Sequence, residues 1–251
     1  MALALQGIGT AHPRHSMSSK EATKLAQTIC CETDRQRRVT EAIYRRCGVQ
    51  NRYTCVPHET ALDYVNLDDK GQLREPSLGP TMAERMGLYE QHAGALALNA
   101  CREALRDSKL DAGAITHVTT VTCTGFYAPG IDVALMRELP LRCTVERVQV
   151  GFMGCHGAIN GLRVAQGLGA SHASRVLLCA VELCSLHYRF VWDPERLVGN
   201  ALFADGAAAV VCGGKADGDT ICQLAATGSC LFPDSVDDLT WRIGDHGFEM
   251  I

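Results

Sequence analysis

Continuous apolar runs alternate along this chain with longer segments whose apolar residues recur at helical spacing. The runs Ile115–Cys123 and Arg175–Leu183 are rich in β-branched and aliphatic residues, which predicts strands covered on both faces. Between these runs, apolar residues at intervals of three and four predict amphipathic helices. The alternation indicates an α/β fold in which helices pack on a largely buried sheet.

End signals and periodicity together place five helices. Ser18 or Ser19 is a suitable N-cap for the helix in KEATKLAQTICC, and the long helix keeps an apolar stripe that includes Leu88, Leu98 and Leu105. The predicted helices are KEATKLAQTICC, Asp34–Cys47, Met82–Ser108, IDVALMREL and Cys155–Leu168. The segment from Arg52 to Pro80 lacks periodicity and predicts an irregular connection.

Further strands are predicted in shorter apolar segments. They are LALQGIGTAHP at the N-terminus, ERVQV, the end of ALFADGAAAVVCGG, ICQLAATGSCLF and RIGDHGFEMI. We expect all the strands to be buried, as in an α/β sheet covered by helices.

Composition is that of an ordinary globular protein: the 251 residues are 47% apolar and 21% charged, with a formal net charge of -4. This charge gives no basic footprint for nucleic acid, and the RQRR run has acidic neighbours, so we interpret it as a solvated helix face. No apolar run reaches the roughly 18 residues of a membrane helix, and the N-terminus lacks a basic leader. We therefore expect a cytoplasmic protein that binds neither nucleic acid nor membrane.

Thirteen cysteines are present, but they follow neither a disulfide framework nor a metal site. The chain is too long and too rich in aliphatic residues for a small disulfide scaffold, and no CxxC pair occurs. We expect most of these thiols to be reduced, buried, small apolar residues, and we expect no metal.

One cysteine stands apart in the stretch VQVGFMGCHGAINGL, because Cys155 follows a predicted strand and opens a predicted helix. A helix N-terminus stabilises a thiolate and offers N–H groups to an oxyanion, and Gly154 and Gly157 permit a sharp turn there. The competing interpretation is a core cysteine in a glycine-rich helix, whose glycines would allow close helix–helix contact. An α/β-hydrolase nucleophile elbow fits poorly, since Met153 stands where that motif needs glycine.

Several segments resemble, in order, those of the type III polyketide synthases, the chalcone-synthase-like branch of the thiolase superfamily. They are GIGTAHP, RRCGVQNRY, VTCTGFYAPGID, VGFMGCHGAINGLRVA, LLCAVELCSLHYR, LVGNALFADGAAAVV and GDHGFEMI. The resemblance covers essentially the whole chain. It implies an α/β, thiolase-like layered αβαβα fold: the N-terminal half in residues 1–218, and the first strands of an incomplete C-terminal half in residues 219–251.

The resemblance also implies an acyltransferase that condenses an acyl-CoA starter with malonyl-CoA, with loss of carbon dioxide, to make a polyketide. Coenzyme A thioesters would be its substrates, no metal or redox cofactor would be needed, and the enzyme would be a homodimer. Ala128 falls where the dimer partner of such enzymes is usually met by a larger side chain.

Carried over residue by residue, the resemblance makes Cys155 the nucleophile and Phe203 the gatekeeper between the coenzyme A tunnel and the cavity. Taken alone, Phe203 and Phe248 would be interpreted as core residues. The positions implied to bind the substrate are Phe248, Cys123, Cys184, His187 and Leu239, and those implied to bind coenzyme A phosphates are Arg45 and Arg46.

The family's catalytic His and Asn belong to a C-terminal half that would follow Ile251, so we expect the 251-residue chain alone to condense substrates poorly and to leave apolar faces uncovered. Neither His156 nor His187 or His246 is a supported replacement for the missing base. Rival interpretations are a 3-oxoacyl carrier-protein synthase or hydroxymethylglutaryl-CoA synthase relative, or a non-catalytic acyl-CoA-binding or dimerisation fragment. The least specific alternative is an α/β domain without an assigned role.

Overall fold

The computed structural model describes residues 2–171, 173–214 and 220–250, which contain ten β-strands and six α-helices. The strands are β1 (Leu3–Ala11), β2 (His15–Ser18), β3 (Asn51–Thr54), β4 (His117–Thr122), β5 (Glu146–Gly151), β6 (Arg175–Leu183), β7 (Asp205–Gly213), β8 (Cys222–Leu224), β9 (Trp241–Gly244) and β10 (Gly247–Met250). The helices are α1 (Ser19–Cys30), α2 (Asp34–Cys47), α3 (Met82–Ser108), α4 (Ile131–Glu138), α5 (Gly157–Leu168) and α6 (Leu197–Leu202).

The chain divides into two compact units that interleave along the sequence. The first comprises Met1–His12, Glu90–Glu182 and Gly206–Leu231, and the second comprises Pro13–Tyr89, Leu183–Asp205 and Phe232–Ile251. The predicted division between residues 218 and 219 lies outside the described residues, so it stays a prediction.

The first unit is built on a six-stranded mixed sheet with the strand order β5-β4-β6-β7-β1-β8. Strand β4 runs parallel to both of its neighbours, and Val118 and Val121 on it are fully buried. Strand β1 is antiparallel to β7, and Ile8 pairs with Val210 there. The buried central strands confirm the prediction of a sheet covered by helices.

Two strands of the first unit differ from the prediction that all strands are buried. Strand β5 occupies an edge of the sheet and exposes its first four residues, Val148 among them. Strand β8 ends at Leu224, well short of the predicted Ile221–Phe232, and Leu231 beyond it is 81% exposed. Both departures have one physical cause: an edge strand lacks a neighbour on one side, and only tertiary pairing decides which strand takes that place.

Helix α5 packs directly on this sheet through glycine. A Cβ atom added at Gly161 would lie 2.7 Å from Val121 Cγ2 and 2.8 Å from Leu178 Cδ1, on β4 and β6. The predicted helix–helix contact is therefore wrong, because the close approach is between helix and sheet. A Cβ atom added at Gly167, near the end of the same helix, would meet no neighbouring atom within 4 Å.

This difference gives a matched pair of substitutions in one helix. We expect Gly161→Ala to lower the free energy of unfolding by about 1–3 kcal/mol, the usual result of overpacking. Gly167→Ala should instead raise it by about 0.4–1 kcal/mol, since alanine restricts the unfolded chain without a clash. Urea denaturation of both variants measures this, and equal effects of the two substitutions would contradict the packing argument.

The second unit places its helices by local end signals. Ser18 caps α1 in a capping box with Glu21, and Thr33 caps α2 in the same way with Gln36. Helix α2 ends at Gly48, whose φ of 72° is left-handed. These bounds confirm the predicted first two helices. The unit's buried core comprises Met17, Ala22, Ala26, Ile29, Cys30, Cys31, Tyr44, Phe190, Leu197 and Ala201.

Short regular elements occupy parts of the second unit that had no helical periodicity. Strand β3 pairs antiparallel with β2, and a 3-10 helix covers His58–Tyr64, both within or beside the segment predicted to be irregular. Strands β9 and β10 form a hairpin where RIGDHGFEMI predicted a single strand, and β9 exposes Arg242 and Ile243 rather than burying them. Across the described residues, every helix is too short or too polar to cross a bilayer.

Candidate active site

Cys155 lies in a strained turn between β5 and α5. Phe152 and Gly154 both adopt left-handed backbone conformations, with φ of 55° and 71°, and a 3-10 turn covers Gly154–His156. The α-helix begins at Gly157, so Cys155 precedes it rather than opening it as the sequence predicted. A left-handed phenylalanine costs about 1–3 kcal/mol and persists only where the surroundings hold it, most often at functional sites.

The contacts that hold this turn include a backbone hydrogen bond and a ring contact. The Phe152 N–H donates to Thr122 O at 3.1 Å, and the Phe152 ring lies 5.7 Å from that of Phe126. The turn leaves the Cys155 side chain exposed, with no hydrogen bond to its thiol among the described residues. The thiol is therefore open to an incoming electrophile.

The N-terminus of α5 contributes an electrostatic field that favours negative charge near Cys155. His156 is the N-cap residue and makes no side-chain hydrogen bond to the helix, so the side chain before the helix does not cap its first amides. Those amides carry partial positive charge, which stabilises a thiolate and the oxyanion of a tetrahedral intermediate. The turn thus presents the thiol beside the groups that nucleophilic acyl transfer needs.

A second thiol lies against the same turn. The Cys123 thiol donates to Gly154 O at 3.5 Å, and a Cβ added at Gly157 would lie 3.8 Å from Cys123 Sγ. Burial, followed by the charge of Glu182, raises the pKa of Cys123. The Cys123 thiol is therefore buried and protonated beside the turn, whereas the Cys155 thiol is exposed to solvent.

Glu182 is a residue that the sequence analysis missed. Its carboxylate accepts hydrogen bonds from the Cys123 N–H at 2.9 Å and from Thr124 Oγ1 at 2.6 Å. Glu182 is on β6 and Cys123 follows β4, so these groups meet at the carboxyl ends of adjacent parallel strands. The signal was a single charged residue within the otherwise apolar strand RVLLCAVEL.

Burial raises the pKa of Glu182 above its ordinary value despite these hydrogen bonds. The folded state therefore holds the carboxyl proton more tightly than the unfolded chain, so folding loses stability as the pH rises from the ordinary carboxyl pKa through the raised one. Glu182→Gln removes this titration. We expect the stability of wild type relative to this variant to fall with rising pH over that window, measured by urea denaturation at several pH values. Parallel pH profiles would contradict this account.

In the second unit, an aromatic cluster surrounds His187. The imidazole stacks on Phe248, with ring centroids 4.2 Å apart, and its Nδ1 accepts a hydrogen bond from the Phe248 N–H at 3.0 Å. Trp241 meets both rings edge-on, at 5.9 Å and 5.7 Å. Accepting at Nδ1 requires a neutral imidazole with its proton on Nε2.

Four of the predicted site residues line one small cavity beside this cluster. The cavity has a volume of about 40 Å³, and the four residues are Cys184, His187, Phe203 and Phe248. Phe203 ends α6, and its N–H donates to Gly199 O at 3.0 Å. Helix α2 buttresses α6, since the Cys47 thiol donates to Ala201 O at 3.1 Å.

Comparison with known proteins decides the family. Residues 2–216 match the family model described as "Chalcone and stilbene synthases, N-terminal domain". The chain belongs to the chalcone and stilbene synthase family. Membership in this family confirms the resemblance drawn from the sequence segments and favours it over the relatives of 3-oxoacyl carrier-protein synthase and hydroxymethylglutaryl-CoA synthase.

Relatives of this chalcone and stilbene synthase family member include bacterial enzymes. An alpha-pyrone synthesis polyketide synthase-like protein of Mycobacterium tuberculosis is 32% identical over 211 residues, which cover 83% of this chain and 51% of the relative. A 1,3,6,8-tetrahydroxynaphthalene synthase of Streptomyces peucetius subsp. caesius is 34% identical over 248 residues, which cover 97% of this chain and 62% of the relative. The chain thus spans about half the length of the first of these relatives.

A solved structure supports the fold. The crystal structure of PKS-I from the brown alga Ectocarpus siliculosus is 26% identical and matches with a TM-score of 0.86, covering 99% of this chain and 66% of that one. The predicted α/β class and thiolase-like fold are therefore confirmed.

The remaining predicted site residues, Leu239, Arg45 and Arg46, do not line the small cavity. Leu239 is 62% exposed and is not among the residues lining the small cavity, whereas Trp241, which the sequence analysis did not name, lines it. Arg45 and Arg46 occupy the last turn of α2, are exposed, and form no ion pair with the described residues. The roles of these residues stay predictions.

Proposed function

We propose that Cys155 takes an acyl group from an acyl-CoA and that the protein condenses this starter with malonyl-CoA to make a polyketide. The observation that carries the proposal is the exposed Cys155 thiol in the strained, glycine-containing turn before α5. Membership in the chalcone and stilbene synthase family supports the same reaction.

The first step is acyl transfer. The Cys155 thiolate attacks the thioester carbonyl, amides at the start of α5 stabilise the resulting oxyanion, and the coenzyme A thiolate leaves and takes up a proton. In the second step malonyl-CoA loses carbon dioxide, and the resulting enolate attacks the acyl-enzyme. A carbon–carbon bond forms as the Cys155 thiolate departs.

Substrate contacts are part of the proposal. Phe203 and Phe248 orient the acyl chain, while Cys123, Cys184, His187 and Leu239 shape its cavity. The aromatic stack of His187 and Phe248 supports this role, because it offers a rigid apolar surface with one polar edge.

Arg45 and Arg46 bind the phosphates of coenzyme A in this proposal. Their exposure and their lack of an acidic partner among the described residues support it, since a guanidinium pairs well with phosphate oxygens. The chemistry needs no metal or redox cofactor, because the thioester substrates carry the activated groups.

A cytoplasmic homodimer is the proposed form of the protein. Strand β5 at the sheet edge and the exposed side chains of Val148, Phe126, Phe152 and Met153 supply an apolar surface for a second copy. Light scattering measures the oligomeric state. We expect the wild-type protein to be a dimer and the Val148→Glu variant to be a monomer. A monomeric wild-type protein would overturn the proposal.

The central experiment is acylation of the purified 251-residue chain with hexanoyl-CoA. Intact mass spectrometry should show one added acyl group, and peptide mapping should place it on Cys155. A parallel assay follows carbon dioxide release from malonyl-CoA, which we expect to be slow in this chain because the described residues place no base on the Cys155 thiol. An acyl group on other cysteines, or no adduct, would overturn the proposal.

A further inference from the structure

A larger cavity lies in the second unit, apart from the cavity lined by Phe203 and Phe248. Its volume is about 220 Å³, and the 3-10 helix His58–Tyr64 forms one wall. Much of its lining is apolar, from Val56, Ala61, Leu88 and Phe190. A body of about six to eight carbon, nitrogen or oxygen atoms fits such a space, which equals that of roughly seven water molecules at about 30 Å³ each.

A buried cation lines this cavity. Arg85 is 1% exposed, and its guanidinium donates to three backbone carbonyls, those of Pro80 at 2.9 Å, Tyr188 at 3.3 Å and Leu186. It forms no ion pair with a carboxylate among the described residues, and its Nη2 has no hydrogen-bond partner. Burial lowers the pKa of Arg85 to about 10, so the group still carries its charge at neutral pH.

A second buried donor lines the same cavity. Tyr188 lines the cavity, and its buried hydroxyl has no hydrogen-bond partner among the described residues, although such a group is usually satisfied when buried. Two residues that line one cavity thus carry buried donors without an acceptor among the described residues, and the buried charge of Arg85, which no carboxylate contacts by a hydrogen bond, favours an anion over water as the occupant.

The acidic groups near the cavity are either occupied or outside its interior. Asp205 accepts hydrogen bonds from the Ser185 N–H, the Ser185 hydroxyl and the Cys55 N–H, each at 2.7 Å. Asp63 lines the cavity but is exposed to solvent. Glu59 lies 3.1 Å from His58 Nε2. Glu84, whose charge acts on Arg85, is exposed and accepts hydrogen bonds from the Thr81 N–H and hydroxyl. None of these carboxylates accepts a hydrogen bond from Arg85 Nη2.

We propose that this cavity binds a small monocarboxylic acid. The apolar part of the acid packs against Ala61, Leu88 and Phe190, and its carboxylate accepts hydrogen bonds from Arg85 Nη2 and the Tyr188 hydroxyl. Binding here is separate from acyl transfer at Cys155 and does not rest on it.

Isothermal titration of the 251-residue chain with hexanoate tests the proposal, with hexan-1-ol as the matched neutral probe. We expect saturable binding of hexanoate at one site and at least about tenfold weaker binding of hexan-1-ol, since a hydrogen bond to a charged group is worth about 1.5–3 kcal/mol. Tyr188→Phe should weaken hexanoate binding about three- to tenfold without lowering the melting temperature, because its hydroxyl has no partner to lose.

Two variants that fill the cavity locate the binding. Ala61→Leu and Leu88→Phe narrow this cavity and leave the one lined by Phe203 unchanged, so each should reduce hexanoate affinity at least about tenfold while circular dichroism confirms folding. Equal affinity for hexanoate and hexan-1-ol would overturn the proposal. So would full hexanoate binding by a folded cavity-filling variant, or no hexanoate binding by wild type.

Discussion

Cys155→Ala is expected to lower the rate of acyl-enzyme formation from hexanoyl-CoA by at least about 10³-fold, the scale seen when a nucleophile is removed. Alanine removes the sulfur atom that we propose holds the acyl group in the turn between Phe152 and Gly157. It leaves the backbone of that turn unchanged, so the melting temperature should stay within about 2 °C of wild type, as for a neutral surface substitution. Intact mass spectrometry after timed incubation measures the rate.

Cys143→Ala is the matched control, because Cys143 is also an exposed cysteine of the first unit. It should acylate at the wild-type rate. Iodoacetamide at neutral pH provides an independent measure, since it reports thiolate character and access. Labelling of Cys143, Cys222 and Cys230 as fast as Cys155 would favour a non-catalytic acyl-CoA-binding fragment over an enzyme.

The largest expected loss of stability comes from Asp205→Ala. The carboxylate is 5% exposed and joins two segments of the second unit, accepting from Ser185 and from Cys55. Its removal leaves the buried Cys55 N–H and two partly buried Ser185 donors without this acceptor, and a fully buried donor left unpaired costs about 1–3 kcal/mol. We expect the free energy of unfolding to fall by about 3 kcal/mol or more, measured as the midpoint of urea denaturation.

Asp63→Ala is the control for this loss, because Asp63 is an exposed aspartate of the same unit without an ion pair among the described residues. Its effect should stay within about 0.5 kcal/mol. If Asp205→Ala changed the free energy of unfolding as little as Asp63→Ala, the hydrogen bonds to Asp205 would not stabilise the fold as we infer.

Local signals in the sequence predicted five of the six helices, whereas the short helix α6 was not predicted. Helices α2 and α3 begin and end at the predicted residues, and the capping box of Ser18 and Glu21 starts α1. Such signals act within one or two turns, so they can be recognised without knowledge of the rest of the fold. Cys155 could be selected in the same way, because its flanking glycines and strand-to-helix setting are local.

Long-range partners could not be predicted from the same signals. Asp205 meets Cys55 across 150 positions, and Glu182 meets Cys123 across 59. The glycines of α5 showed that something approaches closely, but whether a helix or a sheet does so depends on tertiary packing. Likewise, the turn at Cys155 is held by a hydrogen bond from the Phe152 N–H to Thr122 O on β4, a partner that lies far away along the chain.

The pairing of β1 with β7 has a consequence for synthesis on the ribosome. Ile8 pairs with Val210, so roughly 200 residues must be added before the first strand meets its partner. At about 5–20 residues per second, this leaves the apolar strand unpaired for roughly 10–40 s. The second unit's segment Pro13–Tyr89 can acquire its helices during that interval, while the apolar residues of β1 stay without the strand that pairs with them.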